Sequence, residues 1–363
     1  MGADKIVGYV GWTGHNNLGD EAIYHAIQRT CKDINLKPSQ FADSSTTLLG
    51  GGTILPLVFS DGLGYEFRKR NENIALGVGV ADPTFENRRR DVIDLRWAAG
   101  KLGVDTSAIF ANLGIFGTGV RFLGNQLPGT KMDGVFCHAR DFRRAQEALD
   151  AITVRGPRSK GILNDRGIES KIVGDTALLL KPDEFYPDAP EKIVVTLRTP
   201  GTDRKWTKSD DYVDEIAEFC RSIPDSVEKV FLPFYPPDIP LHSDLARSIP
   251  NARWEDYTSV VDIDRVLQEI SRSRVVIGEK LHASTFAACC YTPFISLEYA
   301  PKNADFAASM GMSQMNTRID DIDSRTLSHL YDTARSYDEN EIKSQVTTFR
   351  QRLRSVLEQI DRR

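Results

Sequence analysis

The sequence predicts an α/β protein in which two doubly wound, Rossmann-like domains face a cleft. Three observations lead there. Short apolar runs alternate with longer amphipathic stretches, the pattern of parallel strands covered by crossover helices. The length, 363 residues, exceeds what one hydrophobic core usually absorbs. A proline-rich, acidic segment, Lys181-Pro182-Asp183-Glu184-Phe185-Tyr186-Pro187-Asp188-Ala189-Pro190, interrupts the alternation, which then restarts.

In the first half, apolar runs at 5–10, 45–49, 74–78, 108–111, 152–154 and 171–173 predict strands, and amphipathic stretches at 20–31, 88–102 and 159–166 predict helices. After the proline-rich segment, strands are expected at 192–197, 230–233, 275–277 and 294–297, with helices at 212–221 and 263–271. The last amphipathic stretch, 339–360, reads as a long helix able to pack back on the first domain. The division is therefore 1–180 for an N-terminal Rossmann-like domain, 181–191 for a linker, 192–338 for a C-terminal Rossmann-like domain and 339–363 for the returning helix. Open parallel sheets bind ligands beyond the carboxyl ends of their strands, so the chemistry is expected where strands end.

Composition narrows the function classes. Hydrophobic residues make up 40% and charged residues 27%, so the chain should fold throughout. A net charge of -5 gives no general grip on nucleic acid or an anionic membrane, and an anionic substrate would need local cations. The five cysteines, Cys31, Cys137, Cys220, Cys289 and Cys290, are odd in number and lack paired zinc spacing. With no H-x-x-x-H and no clustered D-x-D at a strand end, no metal site is expected, and a reduced, cytoplasmic compartment fits. Met1-Gly2-Ala3-Asp4-Lys5 is too short and too acidic for a signal peptide, and no apolar stretch approaches the ~20 residues that span a bilayer.

Six segments carry candidate chemistry. Gly11-Trp12-Thr13-Gly14-His15-Asn16-Asn17-Leu18-Gly19-Asp20-Glu21 follows the first strand and opens a helix, whose N-terminus offers unpaired N–H groups to an anion or a polar sugar; the alternative is a tight turn with Asp20 as a simple N-cap. Its spacing is not that of a dinucleotide fingerprint. Gly50-Gly51-Gly52 ends the second strand and reads as a floor for the cleft, or as close helix–strand packing. Val154-Arg155-Gly156-Pro157-Arg158-Ser159 and Val173-Gly174-Asp175-Thr176 put polar residues after strands: Arg155 or Arg158 holds a carboxylate or phosphate bidentately, or pairs structurally with an acid such as Asp175. Arg198 ends the first strand after the linker, where it points a cation at the cleft or, alternatively, caps a sheet edge at the surface.

The sharpest segment is Val276-Ile277-Gly278-Glu279-Lys280-Leu281-His282-Ala283-Ser284, a strand–helix junction with a histidine flanked by lysine and glutamate. His282 is the best catalytic candidate among the six histidines and His15 the second; His25, His138, His242 and His329 sit in helix or loop settings that suit packing or the surface. Finally, Glu298-Tyr299-Ala300-Pro301-Lys302 ends a strand in acid, aromatic and base, a trio that lines a polyol site or closes the sheet.

Taken in order, these segments resemble the polysaccharide pyruvyl transferase family, whose members carry a G-x-N-N-x-G-D-E loop, a G-G-G strand end, V-R-D-x-x-S, G-D-P-A, and R-L-H followed by Y-x-x-K. Asn16–Glu21, Gly50–Gly52, Val154–Ser159, Gly174–Ala177, Lys280–His282 and Tyr299–Lys302 match them across most of the chain. Gly156, Thr176 and Lys280 depart from the pattern, and Lys280 offers a point charge where the family has the fork of an arginine. The segment 82–150 lacks the family's motifs.

The resemblance implies a GT-B-like fold and transfer of the enolpyruvyl carbons of phosphoenolpyruvate onto a sugar diol as a ketal, with phosphoenolpyruvate as co-substrate and no cofactor. It implies that Arg198, Lys280, Leu281 and Arg155 bind the donor and that Asn17, His15, Gly51, Gly52, Glu298, Tyr299 and Lys302 bind the acceptor, with the N-terminal domain as the acceptor side of the cleft and the C-terminal domain as the donor side. His282 and Asp20 would be catalytic. The acceptor would be a sugar of a polysaccharide or glycolipid precursor, lipid-linked or nucleotide-linked, which leaves open contact with membrane-bound glycosyltransferases at the inner face of the membrane. Two rivals remain: a GT-B glycosyltransferase using a nucleotide sugar, and a non-catalytic sugar-binding relative.

Overall fold

A computed structural model of the chain describes residues 5–38, 44–59, 72–83, 139–185, 191–199 and 211–361. In the first unit, strands β1 (Lys5–Val10), β2 (Ile34–Pro38), β3 (Thr46–Gly50), β4 (Thr53–Leu55), β5 (Glu72–Val80), β6 (Ala151–Val154) and β7 (Lys171–Ile172) form one parallel sheet, ordered β2-β1-β3-β5-β6-β7, with β4 paired to β5. In the second, β8 (Lys192–Thr196), β9 (Glu228–Phe231), β10 (Ala252–Trp254), β11 (Val275–Gly278), β12 (Phe294–Glu298) and β13 (Asn316–Arg318) are also parallel, ordered β10-β9-β8-β11-β12-β13. The latter is the Rossmann strand order, with its switch point between β8 and β11. The first sheet reverses between β1 and β3, which puts the two glycine-bearing strand ends side by side.

The strands form because their residues are buried on both faces. β3, β8, β11 and β12 are buried at every position, as parallel strands covered by helices must be. The covering helices are α1 (Leu18–Thr30), α2 (Ala139–Ala148), α3 (Pro157–Asn164), α4 (Tyr212–Ser222), α5 (Ile239–Ser248), α6 (Ile263–Ser271), α7 (Leu281–Cys289), α8 (Pro301–Ser309) and α9 (Ser324–Arg335), and α10 (Glu339–Asp361) closes the chain. α6 buries Ile263, Val266, Leu267 and Ile270, a stripe at helical spacing. α7 is different: apart from His282 it is buried all round.

Contacts between the units are polar and specific. The Leu18 N–H donates to the Phe234 carbonyl (3.0 Å). The Asp305 carboxylate of α8 accepts from the Arg158 and Ser159 N–H groups at the start of α3 (2.8 and 3.3 Å), an N-cap that Gly156, lacking a side chain, does not supply itself. Arg350 of α10 is buried and donates to the Leu178 carbonyl (2.7 Å), the Cys289 carbonyl (3.3 Å) and the Tyr291 hydroxyl (2.8 Å), joining the end of the first unit to α7. α10 reaches the first unit further at Ile360, whose carbonyl accepts from Lys5, and at Phe349, packed on Gly174.

Where sequence expectation and structure differ, the reasons are local. α5 follows Pro236 and Pro237 and carries Pro240 in its first turn, so a legitimate helix start reads as a loop. β10 and β13 are three residues each, too short for a period to register. The expected helix 88–102, the strand 108–111 and residues 186–190 of the linker lie outside the described residues. No described helix is long and apolar enough to cross a membrane.

Candidate active site

The site forms around the switch point of the second sheet. Arg198 lies two residues beyond the end of β8, and its backbone N–H donates to the Glu279 carboxylate (2.7 Å), which also accepts from the Tyr212 hydroxyl (3.3 Å). Burial pushes the Glu279 carboxyl up to about 7 against the opposing pull of Arg198 and Lys280. The Arg198 guanidinium lies over the Tyr299 ring, 4.2 Å from its centroid, and the Lys302 ammonium lies 4.9 Å from the same ring. Lys280 pairs with Asp238 (2.9 Å), which is held in turn by the Thr199 N–H (2.8 Å). Burial pushes the Tyr299 phenol up, yet the combined fields of Lys302, Arg198 and Lys280 outweigh it and leave the phenol below its usual value. Arg198 after β8 and Lys302 at the start of α8 thus meet on one phenol, and Lys280 adds its field.

His282 occupies the first turn of α7, where the first unit meets the second. Its imidazole lies against Gly19, whose lack of a side chain makes the room: a Cβ there would sit 1.9 Å from Nδ1. Its Nε2 is 3.8 Å from the Asp175 carboxylate, which also takes Arg155 at 3.3 Å and the Ala177 N–H at 3.0 Å. Burial holds the imidazole down at about 4, with Asp175 pulling up and Arg155, Lys302 and Lys280 pushing further down, so His282 is neutral near pH 7. Asp20, in the first turn of α1 and within the field of the same Lys302 and Arg155, is raised to about 6 by burial against their pull.

The remaining expected residues fall into two groups. Tyr299 and Lys302, expected to bind the acceptor, stand with Arg198 in the second unit, whereas Glu298 turns to the sheet edge and accepts from Asn316 (2.7 Å). Arg155 is buried and donates to the Gly52 carbonyl (3.0 Å) and Thr53 hydroxyl (3.3 Å) besides meeting Asp175, the structural pairing weighed as its alternative; Arg158 pairs with Asp82 (2.5 Å). Leu281 is buried, with its backbone N–H in the first turn of α7. Asn17, not Asp20, is the N-cap of α1, accepting from the Gly19 N–H (3.2 Å). His15 stacks on Trp12 (4.2 Å between centroids), and the loop between them is held by Glu21, which accepts from the Gly14 and His15 N–H groups (2.6 and 3.1 Å).

The glycine run has two explanations. The Tyr9 ring fills the space beside Gly50, where a Cβ would approach it to 2.7 Å; Gly51 and Gly52 have φ of +86° and +65°, which side chains disfavour. Asp238 is a partner sequence reasoning did not single out, because it sits in a Pro-Pro-Asp turn that carries no catalytic signal; Asp175 was named as an acid for Arg155 or Arg158, but not as a neighbour of His282. His242, the buried neighbour of Asp238, accepts from the Leu197 N–H (3.1 Å) and is held down at about 4 by burial, a structural role. Among the described residues no three His, Cys, Asp or Glu side chains gather as a metal-ligand set.

Comparison with solved structures supports the architecture. The crystal structure of the glycotransferase of kitacinnamycin superposes with a TM-score of 0.53 at 12% identity, over 98% of this chain and 98% of that one. The wall teichoic acid polymerase TagF (TM-score 0.46, 12% identity, 99% and 89% covered) and the UDP-GlcNAc 2-epimerase from Neisseria meningitidis (0.44, 12%, 99% and 100%) are more distant. At such identity the likeness is one of fold, and the fold is GT-B-like, two Rossmann-like units with parallel sheets. A search of curated proteins finds no match. The model of polysaccharide pyruvyl transferases matches residues 107–301, more than half the chain and a span that takes in Arg155, Asp175, Arg198, Lys280, His282 and Tyr299; the chain belongs to the polysaccharide pyruvyl transferase family.

Proposed function

We propose that the protein transfers the enolpyruvyl carbons of phosphoenolpyruvate to two hydroxyls of a sugar, forming a pyruvate ketal and releasing phosphate. The observation that carries this reading is the meeting of Arg198 and Lys302 on Tyr299, with Lys280 in the same field, in a site that also holds the partly buried His282 and Asp20, both within the field of Lys302 and Arg155. A small donor bearing a carboxylate and a phosphate needs several cations at one place, and proton transfer needs two groups of different basicity next to it.

In this scheme the donor anion offsets Lys280 and Lys302, two of the charges that depress His282, and so raises the imidazole toward protonation. The imidazolium gives its proton to the methylene carbon, the C=C pair forms the new C–H bond, and one sugar hydroxyl bonds to the cationic carbon while Asp20 takes its proton. The second hydroxyl then bonds to the same carbon and gives its proton to His282, while the C–O bond to phosphate breaks and the phosphate leaves with the proton from Asp20. Both residues return to their starting states, and no step runs through a metal or an organic cofactor. The acceptor is a sugar of a polysaccharide or glycolipid precursor, lipid-linked or nucleotide-linked.

The test is mass spectrometry of a panel of lipid-linked and nucleotide-linked sugars incubated with phosphoenolpyruvate, alongside phosphate release. A mass gain of one ketal-linked pyruvate is expected. Turnover of nucleotide sugars in place of phosphoenolpyruvate would make the protein a glycosyltransferase, and sugar binding without phosphate release would make it non-catalytic.

Asp20 supplies a pH test. A base must be ionised, so its contribution is present above about pH 6 and lost as the pH falls through that value. The rate of phosphate release is expected to show an acid limb near pH 6, and Asp20→Asn to lower turnover by ~10²-fold and flatten that limb. A limb that persists unchanged in Asp20→Asn would assign it to another group, Glu279 being the neighbour raised to about 7.

A further inference from the structure

We infer that Asp175 is the positioning residue of His282: it holds the imidazole as the Nε2–H tautomer, so that Nδ1 is the atom that exchanges protons with the substrate. This rests on the reading of the site given above and goes beyond it by naming the nitrogen and the residue that selects it.

The argument begins with what fixes the carboxylate. Asp175 is 1% exposed and caps the turn at Thr176–Leu179, where one of its oxygens, Oδ1, accepts from the Ala177 N–H at 3.0 Å. Its other oxygen, Oδ2, meets Arg155 Nη1 at 3.3 Å, and Arg155 is itself anchored on the Gly52 carbonyl and the Thr53 hydroxyl. The carboxylate is therefore held on both sides, with Oδ2 turned to His282 Nε2, 3.8 Å away.

The ring is fixed from the opposite side. Gly19 lies so close to Nδ1 and Cγ that a Cβ would stand at 1.9 and 2.3 Å from them. Nε2 is buried and has no hydrogen-bond partner, a condition that costs free energy unless the nitrogen finds one. A lone pair on Nε2 would face a carboxylate and be repelled; an N–H there is attracted. The separation is longer than a hydrogen bond, and contacts of this kind tighten when substrate closes the site. The side chain keeps 12% of its surface exposed, all of it on atoms other than Nε2. Nδ1 lies against Gly19, in the first turn of α1.

The charges acting on His282 come from every element around it. Asp175, before the Thr176–Leu179 turn, favours the imidazolium; Arg155 after β6, Lys280 before α7 and Lys302 on α8 oppose it. Each proton that His282 gives to the methylene carbon or takes from the second hydroxyl then passes through Nδ1, while the Nε2–H bond stays intact and points at Asp175.

The experiment is a long-range ¹H–¹⁵N correlation spectrum of histidine-labelled protein, in which His282 is one of six histidines and is assigned by its absence in His282→Gln. The wild-type protein is expected to show His282 protonated on Nε2 and bare on Nδ1. In Asp175→Asn the amide NH₂ can donate to Nε2, so the proton is expected to move to Nδ1, and turnover to fall by ~10²–10⁴-fold with both substrate KM values changed by less than about threefold. Asp175→Glu is expected to restore the tautomer and part of the rate. A wild-type His282 protonated on Nδ1 would overturn the inference, as would an Asp175→Asn protein with wild-type tautomer and rate. The wild-type spectrum decides even if Asp175→Asn fails to fold. It also decides if no ketal forms from phosphoenolpyruvate, an outcome that would remove the proposed reaction and leave the tautomer assignment standing.

Discussion

His282→Ala is expected to lower ketal formation by ~10²–10⁴-fold, the range that a positioned proton-transfer group supplies. The fold should tolerate it. The ring makes no hydrogen bond through its buried Nε2, so its removal deletes an unsatisfied polar atom together with some packing, and the net cost should stay near ~1 kcal/mol. Phosphate release and the unfolding midpoint measured on one preparation separate the two effects. Turnover near that of the wild type would take His282 out of the reaction, and a large fall in midpoint would make it a packing residue.

Gly19→Ala should silence the enzyme nearly as completely, from a residue that carries no chemistry. The added Cβ would stand 1.9 Å from His282 Nδ1, 2.3 Å from Cγ and 2.8 Å from its Cβ. Because the clash reaches down to the His282 Cβ, a turn of the ring does not relieve it. Either His282 leaves the site or the start of α1 moves, and α1 is tied there by the Leu18 N–H on the Phe234 carbonyl and by the Asn17 cap. Overpacking of this kind costs ~1–3 kcal/mol, offset in part by the better helix propensity of alanine, ~1 kcal/mol. Gly14→Ala is the control: a Cβ there meets nothing within 4 Å, and only the φ of +81° opposes it. It should lose some stability and keep its rate, whereas a Gly19→Ala protein with wild-type turnover would show that His282 has room the structure does not give it.

Much of the frame was legible in the chain. The strands at β1, β3, β5, β6, β8, β11 and β12 stand out because each is buried on both faces and reads as a short apolar run between polar stretches. α6 follows its apolar stripe, and α10 follows the long amphipathic ending. The junction from Val276 to Ser284 was recognisable because a strand that gives way at once to small residues puts the polar side chains between them at a strand end. The three-residue strands β4, β10 and β13 and the proline-started helix were not, because three residues carry no period and proline is as much at home in a loop as in a first helical turn.

What the sequence by itself determined, then, is which segments are strands and helices and which end of each sheet carries the polar residues, since both follow from burial repeated over neighbouring positions. Only the tertiary structure decided which polar residues meet. Asp175 and Gly19 of the first unit enclose His282 of the second; Asp238 is the partner of Lys280; Tyr299 stands with the cations and Glu298 does not; Asp305 caps a helix whose own cap residue is Gly156. Each of these contacts depends on separations of a few ångströms between residues far apart in the chain, set by how two sheets and their helices pack, and no spacing along a sequence encodes such a distance.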